Sequence, residues 1–282
     1  MTRQKNVTMT NIDPKTVASF GDEWSRFDQQ AMSDLEAKKI FEEYFAVFPW
    51  SDLPENATGF DMGCGSGRWA RWVAPKVGHL HCLDPSEAVE VAQATLTNFD
   101  NITFHRASVD SQCLPAASQD FGYSLGVLHH VPDTQSAICS CVDLLKPGAP
   151  LLLYLYYAFD NRNWWFQAVW RLSDLGRRLI CQLPPSPKHA VTDVIALLVY
   201  LPLATFSRIL ETLGCRVTGI PLSYYRKHSL YTMRTDARDR FGTPLEHRFT
   251  KQQIIEMMES AGLANVRFSD AAPFWCAVGV KR

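Results

Sequence analysis

From residue 33 to 48 apolar side chains return at helical spacing, through Leu35, Ile40, Phe41, Tyr44, Phe45 and Phe48. This predicts an amphipathic helix stopped by Pro49. Short apolar runs of strand length then alternate with helix-patterned stretches. Strands are predicted at 57–62, 79–83, 101–107, 120–126 and 150–157, with helices at 68–73, 87–99 and 134–145 between them. The strands are nearly continuous apolar runs rather than alternating ones, so both faces of the sheet are expected to be covered and its strands parallel.

After Tyr157 the pattern changes. Residues 159–215 read as helical, with Trp164, Trp165, Phe166 and Trp170 interleaved with Arg162, Arg171, Arg177 and Arg178, and with Pro184, Pro185 and Pro187 dividing them. The dense apolar run 194–206 contains Pro202 and is shorter than the ~20 residues a bilayer crossing needs. Residues 216–249 mix aromatic and basic positions without a clear period. Order returns at Thr250-Lys-Gln-Gln253, a capping box opening a helix that stops at Gly262, and two closing strands are predicted at 265–269 and 274–280. The organisation expected is an α/β core at 51–158 and 246–282, a helical cap inserted at 159–245 before the last two strands, and an N-terminal helical segment or lid at 1–50, of which 1–15 is polar and loose.

Composition narrows the function. Across 282 residues, 28 basic side chains face 29 acidic ones. A nucleic-acid binder usually carries a basic surplus, so none is expected as partner. The N-terminus has no apolar signal-peptide core, and eight cysteines are scattered without a framework, which suits reduced thiols in the cytoplasm. Cys139 and Cys141 have no second pair or nearby His, so they are read as small core residues and no metal is expected.

The chemistry concentrates in Gly59-Phe-Asp-Met-Gly-Cys-Gly-Ser-Gly-Arg-Trp69. Asp61 ends a strand, and Gly63, Gly65 and Gly67 follow at alternate positions, where the absence of Cβ lets the chain turn sharply and lets a ligand approach the backbone. A dinucleotide fingerprint would place its third glycine where Arg68 stands, and would not carry an acid such as Asp61 before the loop. Two further acids follow the next strands: Asp84, placed to accept from a ribose diol, and Asp110, placed to accept from an adenine amino group.

These residues resemble the class I S-adenosylmethionine-dependent methyltransferases, in the branch acting mostly on small molecules. The resemblance rests on Asp61-Met-Gly-Cys-Gly-Ser-Gly67, Leu83-Asp84-Pro85-Ser86, Ser108-Val-Asp110, Ser124-Leu-Gly-Val-Leu-His-His130 and Leu144-Leu-Lys-Pro-Gly148, in order over 57–157, with a weaker match at 246–282. It implies a Rossmann-like, mostly parallel seven-stranded sheet with an antiparallel last strand. It also implies S-adenosylmethionine held by Asp61, Gly63, Cys64, Gly65 and Gly67 at the methionine end, by Asp84, Pro85 and Ser86 at the ribose, and by Asp110 and Ser111 at the adenine, with Gly126 and Val127 on the floor. Ala149 stands where the family often has a second glycine. The insert lies outside the shared core, so the resemblance says little about substrate.

Other candidates come from residue type. Trp24, in the aromatic stretch Phe20–Phe27, could cover the sulfonium, or the stretch could simply dock on the core. His129 is the candidate general base, though a packed or capping histidine is the commoner reading before Val131-Pro132. Tyr224, Tyr225, Arg226, His228 and Arg234 are candidate substrate contacts, the arginines suiting an anion, although an exposed cap surface would read the same. The expected activity is methyl transfer to an O, N or other nucleophile of a small metabolite. The alternatives are a lipid-like, quinone-type acceptor met at the membrane surface, and a cofactor-binding protein without catalysis. A nicotinamide enzyme is disfavoured by Arg68 and Asp61. The sequence leaves the oligomeric state open.

Overall fold

The computed structural model describes residues 11–27 and 31–282. Of the polar, loose tail expected at 1–15, residues 1–10 lie outside the described residues, as does Asp28 at the end of the aromatic stretch, whereas Pro14 and Lys15 already belong to a helix. Seven strands form one sheet: β1 (Thr58–Met62), β2 (His79–Asp84), β3 (Ile102–Arg106), β4 (Phe121–Leu125), β5 (Pro150–Tyr154), β6 (Leu263–Phe268) and β7 (Cys276–Lys281). Their order is β3-β2-β1-β4-β5-β7-β6, and only β7 runs antiparallel to its neighbours.

Alternation along the strands sorts side chains to two covered faces. Phe60 and Met62 of β1 pack with Ile138 and Cys141 of α5 (Thr134–Leu144) and with Ile254 and Met258 of α10 (Lys251–Ser260). Phe121 and Tyr123 of β4 pack on the other face with α2 (Asp34–Tyr44), α3 (Ala70–Val73) and α4 (Ala88–Thr95). Gly59 pairs with Phe121 and Phe60 with Gly122. A Cβ on either glycine would stand 2.3 Å or 2.2 Å from the facing ring, so each glycine makes room for its neighbour's phenyl group.

The cap enters between β5 and α10. It comprises α6 (Trp164–Ile180), α7 (Pro185–Ile195), a π-helical turn Ala196–Tyr200, α8 (Leu201–Thr212), a 3₁₀ segment Ser223–Lys227 and α9 (Leu230–Gly242). Pro202 does not break the apolar run. The π-turn just before it widens the helix and accommodates the missing N–H, so α7, the turn and α8 continue as one helix from Pro185 to Thr212. This corrects the expectation drawn from 194–206: the 28-residue helix is long and apolar enough to cross a membrane by length and composition.

Two helices, inside the expected N-terminal helical segment and the expected cap, bury polar side chains. α9 buries Thr232, Thr235 and Arg238 beside Met233 and Ala237, and α1 (Pro14–Arg26) buries Thr16, Ser19, Gly21 and Glu23. The polar inner face of α9 shows no apolar period, whereas α1 turns Val17, Phe20 and Trp24 to the cavity at helical spacing. The start of α1 is fixed locally, with Pro14 in its first turn and the Asp13 side chain accepting from the Thr16 N–H.

Candidate active site

A cavity of about 510 Å³ lies between the C-terminal ends of the parallel strands and the cap, a size typical of small-molecule sites. Its floor is the turn after β1. Gly63, Gly65 and Gly67 all have positive φ (82°, 53° and 80°). A Cβ on Gly63 would meet Val127 at 2.5 Å, and one on Gly65 would meet the Trp24 indole at 3.2 Å. The N–H groups of Gly63 and Cys64 donate to the Leu83 carbonyl at the end of β2, which ties the turn to the neighbouring strand.

Asp84 stands beside that tie. Its carboxylate accepts from the Gly65 N–H at 2.9 Å and from both the N–H and the hydroxyl of Ser86. It therefore holds the following turn and also lines the cavity. Burial pushes its carboxyl up, against the pull of those hydrogen bonds. Asp61 sits one layer below. It is fully buried against Tyr123, and neither carboxylate oxygen has a hydrogen bond of normal geometry. Burial holds its carboxyl well above the usual range, Tyr123 opposes this, and the nearby Asp84 charge adds to it.

Gly63, Cys64, Gly65, Asp84, Pro85, Ser86, Gly126, Val127 and Trp24 all line the cavity. The adenine pair does not. Asp110 accepts from the Asn11 N–H and the Ser108 hydroxyl, and the Ser111 hydroxyl donates to the Ser108 carbonyl. Ala107 and Val109 supply the cavity wall there instead. Gly67 packs behind the floor against Leu96 of α4.

The histidine assignment is also corrected. His129 is fully buried under Tyr156, their ring centroids 3.9 Å apart, and it is not part of the cavity wall. Its neighbour His130 lines the cavity, with Nδ1 2.6 Å from the Leu245 carbonyl and Nε2 3.9 Å from Asp239. Burial holds both imidazoles below their ordinary range.

Of the cap candidates, Tyr224 and Tyr225 face the cavity. Arg226, His228 and Arg234 do not. Arg226 pairs with Glu211 at 2.9 Å, His228 lies 3.4 Å from Glu36, and Arg234 grips Asp193 through two bonds. Guanidinium groups already committed to carboxylates outside the cavity are not placed to receive a substrate anion.

The cap brings in groups that the sequence did not single out. Glu23 of α1, with Asp236 and Asp239 of α9, lines the cavity above the glycine turn. Glu23 is fully buried, and neither oxygen has a partner among the described residues. Burial pushes its carboxyl well above the usual range, and the Asp239 charge adds to this. Asp236 accepts from the Tyr225 hydroxyl at 2.9 Å, and Asp239 from the Tyr156 hydroxyl. Burial, opposed by Arg68, raises the Asp236 carboxyl to about 6. Aromatic walls surround these acids, among them Tyr44, Tyr154, Phe166, Trp170 and Tyr200.

Residues 60–153 match the family described as a methyltransferase domain, and the strand order just described places its cofactor turn on the cavity floor. The chain is a class I S-adenosylmethionine-dependent methyltransferase. It is similar to the ubiquinone biosynthesis O-methyltransferase of Paraburkholderia phymatum, 27% identical over 75% of this chain and 88% of that one. It is similar to the protein of the same name from Escherichia coli O157:H7, 27% identical over 69% and 80%. In fold it resembles an S-adenosylmethionine-dependent methyltransferase from Aquifex aeolicus, with a TM-score of 0.50 at 14% identity over 92% and 96% of the two chains. The cavity floor suits the cofactor: the glycine turn leaves no Cβ in the way, and beneath it the buried Asp61 has carboxylate oxygens without a regular protein donor.

Proposed function

We propose that this methyltransferase acts on a hydroxyl of a largely apolar small molecule, and that Asp236 takes the proton. The single observation carrying this reading is a partly buried carboxylate, raised to about 6 and hydrogen-bonded to Tyr225, on the wall of an aromatic-lined cavity. A hydroxyl is a weak nucleophile until its proton leaves, and a base is most effective when its pKa lies near the working pH. Above about pH 6 Asp236 is ionised, and the Tyr225 hydroxyl holds it in place. Glu23, whose carboxyl burial holds well above the usual range, is the second carboxyl of the cavity wall and the candidate group to orient the acceptor oxygen. The O-methyltransferase names of the curated relatives support an oxygen acceptor.

For the cofactor, the proposed seat of the methionine end is the Gly63–Gly65 turn, with the Asp61 carboxylate beneath it and the Trp24 indole over it. Asp84 retains lone pairs for the ribose hydroxyls. Pro85, Val109 and Val131 form the apolar slot for the adenine ring, in place of Asp110 and Ser111. The bound cofactor supplies an already activated methyl group, so the protein's work is alignment and removal of one proton.

The test uses 4-butylcatechol as a hydroxylated apolar acceptor, with rates followed across pH 5–9. The expected kcat/KM rises with pH through about 6. Asp236→Asn should lower kcat by roughly 10²–10⁴-fold, the usual share of a general base, and remove that acid limb. An unchanged rate and profile in Asp236→Asn would remove it as the base. Methylation of amines, with no hydroxyl accepted, would overturn the oxygen reading.

A further inference from the structure

The cap turns a large apolar surface to the outside. On α6, Trp164, Leu172 and Leu179 are 80%, 71% and 72% exposed. On the long helix from Pro185 to Thr212, Leu198, Phe206 and Ile209 are 71%, 52% and 53% exposed. Apolar patches of this extent on soluble proteins mark interaction surfaces. We propose that this face docks on an anionic phospholipid bilayer, lying along it, and that the cavity mouth opens onto the membrane so that an apolar acceptor enters from the lipid.

Charge decides the partner. Between residues 164 and 216 the exposed ionisable side chains are Arg171, Arg178, Arg208 and Arg216. The acids of the same stretch are all engaged: Asp174 with Arg177 and Arg178, Asp193 with Arg26 and Arg234, Glu211 with Arg226 and Lys227. The face is therefore apolar with a mainly basic fringe, its most exposed acid, Glu211, being held by Arg226 and Lys227, and it complements lipid phosphates. A two-fold contact with a second copy would set arginine against arginine with no free acid to meet them. An exposed tryptophan at the start of α6 also suits the headgroup level.

Orientation follows from the inner face of the long helix. Ala196, Tyr200, Ala204 and Ser207 are buried, and Asp193 is held by Arg26 and Arg234. One side of the helix is thus committed to the protein, so it lies on the bilayer and does not cross it. The mouth is set by Val169 of α6 and Val199 of the π-turn, about half exposed yet part of the cavity wall. Behind them Phe166, Trp170 and Leu203 continue the apolar path inward toward the carboxylates. Delivery from the membrane rests on the apolar acceptor proposed above, whereas the docking surface stands without it.

The experiment is co-sedimentation of the full chain with vesicles of phosphatidylcholine alone and of phosphatidylcholine mixed with phosphatidylglycerol. Binding to the mixed vesicles, weakened by salt, is expected. Leu172→Glu with Leu198→Glu should reduce it at least tenfold. Arg171→Glu with Arg208→Glu should cost roughly fivefold or more per site, from the usual gain per basic residue at an anionic surface. Unchanged circular dichroism and S-adenosylhomocysteine affinity in solution would show that these variants are folded. Absence of wild-type binding to mixed vesicles would overturn the proposal. So would a dimer in light scattering that Leu198→Glu dissociates while vesicles retain nothing. Failure of the acceptor reading would show separately, as vesicle binding without methylation of 4-butylcatechol.

Discussion

The sheet and the cap are built on opposite plans. In the sheet, Leu151, Leu152 and Leu153 of β5 are fully buried. In the cap, Leu172 and Leu198 are mostly exposed, while Arg238 is fully buried and Asp174 and Arg177 nearly so. A buried charge needs a partner, and these have one: Arg238 pairs with Asp22 at 2.8 Å, Arg177 with Asp174 at 2.7 Å and with the carbonyls of Thr243 and Pro244, and Glu246 lies between Arg240 and Arg248. Such pairs offset their own desolvation more than they add stability. The sheet is therefore held by extensive hydrophobic burial, and the cap by a small apolar cluster of Ala196, Tyr200, Ala204, Met233 and Ala237 with a polar network beside the cavity. The difference teaches that the cap is shaped for what it encloses and what it faces, rather than for its own stability in water.

The sharpest division between cofactor floor and surrounding surface is drawn by two aspartates. Asp84→Ala removes a carboxylate that lines the cavity and also holds the Gly65 N–H. At about 1.5–3 kcal/mol for each hydrogen bond to a charged group, S-adenosylhomocysteine affinity should fall by roughly 100-fold or more, read by calorimetric titration. Asp110→Ala removes a group that meets Asn11 and Ser108 outside the cavity wall, so the expected loss is no more than a few-fold. Equal losses for the two would mean that the adenine end is not where Val109 lines the wall.

How much of this was legible follows the same division. The strands, the glycine turn and Asp84 could be read because parallel-sheet strands are apolar runs and the turn needs glycine at positive φ, both of which are local signals. α9 could not, because Arg238 and Thr235 on its inner face give no apolar period, and the partner of Arg238, Asp22, lies far along the chain. For the same reason Asp236 and Asp239 were missed as cavity acids, while Arg226 and Arg234 drew notice although Glu211 and Asp193 neutralise them outside it. The only available hint was the density of Asp and Arg in 234–240. Asp110 and Val109 share a strand-end position, and only the fold decides which of them lines the cavity.

Asp236 tests whether the cap sacrifices stability for its task. Its carboxyl is raised in the folded state, so the stability it contributes is present in full below the unfolded value of 3.8 and is lost as pH rises through about 6. At pH 7.5 its ionised form therefore costs the fold up to roughly 3 kcal/mol, an upper figure from ~1.4 kcal/mol per pKa unit. Asp236→Asn keeps an acceptor for the Tyr225 hydroxyl and should raise the melting temperature at pH 7.5 while slowing catalysis. The gain should vanish toward pH 4. A variant that is less stable at pH 7.5 would show that the charged carboxylate is compensated and that the cap carries no such cost.

The smallest effect sharpens the contrast most directly, because it compares one residue type in both regions. Leu152→Ala empties a site with no exposure and should cost about 2–5 kcal/mol, through lost burial and the cavity left behind. Leu198→Ala removes a side chain that is 71% exposed and should cost no more than about 0.5 kcal/mol in water, measured by denaturant unfolding without lipid. If Leu198→Ala cost as much as a core leucine, the outer face of the cap would already be covered in solution, by a second copy of the chain, and its leucines would belong to a buried interface. A negligible cost, combined with weakened vesicle binding in the same variant, would separate what that side chain does for the fold from what it does at a surface.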